Sequence, residues 1–96
     1  MGERLLPFTS AAIERVPHAT GAYFLYRARE PVCAAVAAGG ATLRSELAAR
    51  LAQGSDATHF SWIRTADALH AYRLQLAAHA RWDVRKAARL PQPGSP

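Results

Sequence analysis

Residues 21–47 read GAYFLYRAREPVCAAVAAGGATLRSEL, and two turn signals cut this stretch into three parts. Gly21 and the charged run Arg27–Glu30 bracket an aromatic-rich segment that suits a β-strand. Alternation sends Ala22, Phe24 and Tyr26 to one face and Tyr23 and Leu25 to the other. The next part, VCAAVAA at 32–38, is mostly alanine, which favours helix over strand. Its brackets decide otherwise: Pro31 and the Gly39–Gly40 pair leave too few residues for a stable helix, so a short buried strand is expected. A helical reading of 32–38 would turn the chain into a helical bundle. The third part opens a helix, with Thr42 as N-cap and Gly54 just past the end. Leu43, Leu47 and Leu51 make its buried stripe, and Arg44, Glu46, Arg50 and Gln53 lie off it.

Working outward, residues 1–20 read as an arm with one short helical turn, capped by Thr9 or Ser10 and ended by Pro17. Downstream, ATHFSWIRTA at 57–66 reads as a third strand, with Phe60 and Trp62 on one face and His59, Ser61 and Ile63 on the other. Asp67 opens a second long helix, whose buried stripe is expected at Leu69, Tyr72, Leu76 and Ala80, with Gln75 to one side. The closing VRKAARLPQPGSP is basic and then rich in Pro, Gly and Ser. Residues 1–84 are therefore expected to form a single domain and 85–96 a disordered tail. The order β-β-α-β-α predicts an α/β domain with a small three-stranded, mainly antiparallel sheet flanked by helices.

Ninety-six residues allow one domain. Half are hydrophobic, but much of that is alanine, so the core must lean on larger side chains such as Phe8, Ile13, Val32, Phe60 and Leu74. The net charge is +5 and Lys86 is the only lysine. Arginine's planar fork suits phosphate, which makes nucleic acid a candidate partner, although a GC-rich genome yields the same composition without selection for binding. The single cysteine, Cys33, excludes an intramolecular disulfide and a cysteine-based metal cluster. No apolar run approaches a membrane span, and the first residues lack the apolar region of a signal peptide. A soluble, cytoplasmic protein with no membrane partner is expected.

VPHATGAY at 16–23, PVCAAVAAGGATLRSEL at 31–47 and ATHFSWIRTADALHAYRLQ at 57–75, in that order, resemble the GIY-YIG nuclease domain. The likeness covers most of the chain. That family hydrolyses DNA phosphodiesters with a tyrosine network that prepares water, an arginine that stabilises the crowded phosphate, and a glutamate that holds one divalent metal. Tyr23 matches the first motif's tyrosine. The second motif's tyrosine falls on Cys33, the arginine on Glu46 and the metal-binding glutamate near Gln75. Arg44 lies two positions before Glu46 and points about 200° away on a helix. The resemblance thus implies a nuclease-like frame whose catalytic constellation (Tyr23, Cys33, Arg44, Glu46, Gln75) is disarmed.

Other constellations are weaker. His18, His59, His70 and His79 show no ligand spacing, and no metal site is expected. Cys33 would need a histidine such as His59 on a neighbouring strand to act as a nucleophile. AAGGAT before the first long helix has the look of a phosphate cradle but lacks the P-loop ending. Arg44, Arg50, Arg64, Arg73, Arg81, Arg85 and Lys86 are the candidate nucleic-acid contacts. Three functions follow: a non-enzymatic binding or interaction module, with nucleic acid as one partner; a divergent Mg²⁺-dependent endonuclease that recruits Tyr23, Arg44 and Glu46 or Asp67; and an assembly protein with a protein partner or a second copy of itself.

Overall fold

The computed structural model describes residues 5–89, with side chains through 82. Its order is β1 (Leu6–Pro7), α1 (Ser10–Ile13), β2 (Gly21–Arg27), β3 (Glu30–Ala37), α2 (Leu43–Ala52), β4 (His59–Arg64) and α3 (Ala68–Arg89). The strands form one antiparallel sheet in the order β1-β4-β2-β3. The protein is therefore a small α/β structure with four strands. The expected three-stranded sheet is corrected by β1, which pairs Leu6 with Phe60 and Pro7 with His59 along the edge of β4.

The segment at 32–38 lies within a strand, as its brackets require, and β3 pairs with β2 from Gly21↔Ala37 to Arg27↔Glu30. The register slips between Leu25 and Tyr26, whose partners are Cys33 and Pro31, so Val32 is an extra residue in a bulge. Val32, expected in the core, is 44% exposed there.

The two faces of the sheet carry different cores. Tyr23, Leu25 and Phe60 join Phe8, Ile13, Val16, Leu43 and Leu47 beneath α1 and α2. Ala22, Phe24 and Ala34 pack on the other face against Ala71 and Ala78 of α3. The alternation read in β2 and β4 therefore holds.

The caps match the sequence reading. Thr9 Oγ1 accepts from the Ala12 N–H, and the Asp67 carboxylate accepts from the His70 N–H at 2.9 Å. At α2, Thr42 and Ser45 satisfy each other's backbone N–H groups in a reciprocal box. Thr42→Ala removes one of these bonds and is expected to lower stability by about 1 kcal/mol, read as a shift of the urea midpoint.

The buried face of α3 differs from the expected one. Leu69, Tyr72 and Leu76 are 60%, 52% and 67% exposed, and Ala80 is exposed as well. Ala71 and Ala78 face the sheet instead, with Leu74 and Trp82 packed beside them. Small residues win because the sheet already supplies the bulk there, with Phe24 between Ala22 and Ala34, so the helix can lie close only where its own side chains are short. The helix also continues through Arg89, so residues 85–89 belong to α3 rather than to a tail, while 90–96 lie outside the described residues. No helix among the described residues is long and apolar enough to cross a membrane.

Candidate functional site

Tyr23 sits at the middle of β2, between β3 and β4, and points to the α2 face. Glu46 and Arg50 are four residues apart on α2 and so share one side of it, flanking the leucine stripe. The Tyr23 hydroxyl donates to Glu46 Oε1 at 2.9 Å and accepts from Arg50 Nε at 3.0 Å. The guanidinium carbon lies 5.9 Å from the centroid of the tyrosine ring. Tyr23 itself is 0% exposed.

This environment sets the chemistry of the phenol. Burial, followed by the hydrogen bond to Glu46, pushes its pKa from 10.0 up to about 12, against the opposing pull of Arg50. Arg50 is held above its usual value, first by its hydrogen bond to Tyr23. At neutral pH the site is a protonated phenol clasped by a carboxylate and a guanidinium. It ties β2 to α2, and the hydroxyl has no open side toward a substrate.

The other positions that the resemblance singled out lie elsewhere. Arg44 leaves α2 on the opposite flank, where Nε donates to the Val16 carbonyl at 2.7 Å. There it lines a cleft of about 300 Å³ between α1 and α2, walled by Ile13, Ala48 and Leu51. Gln75 is on the far side of the sheet, donating through Nε2 to the Ala34 carbonyl at 3.0 Å. Cys33 is half-buried on the Tyr23 face, packed against the core beneath α2. The structure therefore joins Tyr23 and Glu46, adds Arg50 to them, and separates both from Arg44 and Gln75.

The resemblance implies a divalent metal, and the donor set does not fit one. Gln75 offers a neutral amide already used on a backbone carbonyl, and Asp67 is used as a helix cap. Among the described residues no three of His, Cys, Asp and Glu come together as a ligand group.

Cys33 and His59 do not pair, because β2 lies between their strands: Cys33 is opposite Leu25, and His59 is opposite Tyr26. His59 Nδ1 instead lies 2.8 Å from the Thr58 hydroxyl. The supposed phosphate cradle is also occupied, since the Leu43 N–H donates to Ala19 and the Ser45 N–H to Thr42 Oγ1. Of the candidate nucleic-acid contacts, Arg44 and Arg50 are engaged within the fold, while Arg64, Arg73 and Arg81 are exposed. The side chains of Arg85 and Lys86 lie outside the described residues.

Arg50 is the partner that the sequence reading undervalued. The signal was present: Glu46 and Arg50 at helical spacing, on the side of α2 next to its leucines, opposite a tyrosine directed at that helix. No protein-family model matches the chain, and neither a curated protein nor a solved structure is significantly similar to it.

Proposed function

We propose that the chain is a non-enzymatic interaction module on a GIY-YIG-like frame. The observation that carries this reading is Tyr23. The residue aligned with a catalytic tyrosine is sealed from solvent, with its hydroxyl committed to Glu46 and Arg50. The separation of Arg44 and Gln75 onto opposite sides of the sheet supports the same reading, since phosphodiester hydrolysis needs its arginine and metal ligand converging on one phosphate. A module without catalysis acts through its surface. Among the described residues the largest exposed apolar side chains belong to α3, whereas exposed arginines are scattered along the chain at Arg15, Arg27, Arg29, Arg64, Arg73 and Arg81.

The test is incubation of the protein with single-stranded, double-stranded and branched DNA in Mg²⁺ or Mn²⁺, beside Arg44→Ala and Arg50→Ala controls. No cleavage is expected under any condition, with at most weak retention that fades as salt rises. Metal-dependent cleavage that disappears in either control would overturn the reading. Loss in Arg50→Ala would place the reaction at Tyr23, and loss in Arg44→Ala would place it in the cleft between α1 and α2.

A further inference from the structure

We infer that the cleft between α1 and α2 binds a free aliphatic α-amino acid, with Arg44 on its carboxylate and Glu14 on its ammonium group. This inference goes beyond the reading of the chain as an interaction module and does not depend on it.

The cleft follows from the sequence of α2. Arg44, Ala48, Leu51 and Ala52 recur at helical spacing, so they share the side of the helix that faces α1. Large side chains at positions 48 and 52 would fill the space between the two helices. Two alanines leave about 300 Å³ open there instead, at the small end of the range for ligand sites. Ile13, buried in the core, and the half-buried Leu51 supply the apolar floor.

Each wall carries one charge. On the α2 side, Arg44 Nε donates to the Val16 carbonyl at 2.7 Å. That bond fixes the plane of a half-buried guanidinium and leaves its two terminal nitrogens for another acceptor. On the α1 side, Glu14 ends the short helix as its C-cap and lines the same cleft. The two residues do not pair with each other, and among the described residues neither has an ion-pair partner.

This pattern selects the occupant. A hydrocarbon would match the floor but leave both charges without a partner. A fatty acid would satisfy Arg44 while bringing a second carboxylate toward Glu14, and an aliphatic amine would bring a second cation toward Arg44. A zwitterion with both charges on one carbon and an aliphatic side chain answers all three features. Its carboxylate meets the arginine fork, its ammonium meets Glu14, and its side chain covers Ile13 and Leu51. The volume suits an amino acid of the size of leucine.

The experiment titrates the isotope-labelled full chain with L-leucine and follows amide signals by NMR. Ile13, Glu14, Arg44, Ala48 and Leu51 are expected to shift together and to saturate, with a dissociation constant on the order of 1 mM for so small a ligand. N-acetyl-leucine lacks the ammonium and leucine amide lacks the carboxylate, so each should bind on the order of fivefold more weakly. Glu14→Gln should weaken leucine by a similar factor and should not weaken N-acetyl-leucine, a difference that loss of a merely structural contact would not produce. Ala48→Leu fills the cleft from an exposed helix position and should abolish the shifts without lowering the urea midpoint. Absence of saturable shifts, or shifts that survive Ala48→Leu, would overturn the inference. Octanoate binding as tightly as leucine would overturn it in favour of a fatty acid, and N-acetyl-leucine amide doing so would favour a side chain within a peptide. DNA cleavage would sink the non-enzymatic reading and leave these titrations untouched, so the two failures are distinguishable.

Discussion

Gly21→Ala is expected to cost at least about 3 kcal/mol, a large share of the stability of a small domain. Gly21 opens β2 between two neighbours, paired with Ala37 on one side and Arg64 on the other. A methyl group built there overlaps the Ile63 carbonyl oxygen and comes within 2.9 Å of Leu43 Cδ1 and 3.1 Å of the Arg64 Cα. Two of these three obstacles are backbone, so no rotamer change makes room, and β4 must move away from β2. The requirement comes from close approach rather than torsion, since Gly21 is not among the glycines with positive φ. Gly40→Ala makes the contrast, with nothing within 4 Å of its added methyl and no positive φ. It should fall within about 0.5 kcal/mol of wild type. Urea unfolding followed through tryptophan fluorescence and circular dichroism checks both. A Gly21→Ala protein with a wild-type midpoint would mean that β2 and β4 are not packed this closely.

Much of this arrangement was legible because local signals agreed. The turn residues around β3, the alternation in β2 and β4, and the caps at Thr42 and Asp67 each favoured the same elements that tertiary packing uses. β1 was not legible, since two residues carry no period, and Leu6–Pro7 becomes a strand only because the edge of β4 is there to pair with. The orientation of α3 was misread for a reason specific to alanine. Two stripes share the helix, and hydrophobicity weights the leucine ridge over Ala71 and Ala78. Closeness to the sheet depends instead on how little a side chain protrudes. The same misreading hid where Gln75 would fall, because its place depends on which face of α3 docks. At the site, the direction of Tyr23 follows from alternation, whereas Glu46 and Arg50 read only as residues off the leucine stripe, although their helical spacing carried the pair. Alignment to a catalytic pattern instead drew attention to Arg44, which leaves α2 toward the Val16 carbonyl.

Between pH 10 and pH 12 the protein is expected to lose about 2–3 kcal/mol of stability through Tyr23 alone. In the unfolded chain the phenol releases its proton near its ordinary value of 10.0, whereas burial and the Glu46 carboxylate hold it to about 12 in the fold. Below pH 10 both states keep the proton and the contribution is complete. As pH rises through this window the unfolded state sheds its proton first, the folded state binds more protons, and stability falls. Above pH 12 both are ionised and no further loss accrues. Tyr23→Phe isolates the effect, because every other titrating group is common to the two proteins. At neutral pH the variant should be weaker by about 1–2 kcal/mol, having lost the hydrogen bonds to Glu46 and Arg50. Its deficit should then shrink with rising pH and vanish or reverse by pH 12, as wild type pays for an ionisation that phenylalanine cannot undergo. Urea midpoints for both proteins at stepped pH give the comparison directly. Raising the pKa makes a phenolate, already scarce at neutral pH for a tyrosine at 10.0, scarcer still, which fits a clasp better than a reacting group. A deficit that stays constant from pH 8 to pH 12 would instead show a hydroxyl titrating as in water, open to solvent and to a substrate, and would return Tyr23 to candidacy for catalysis.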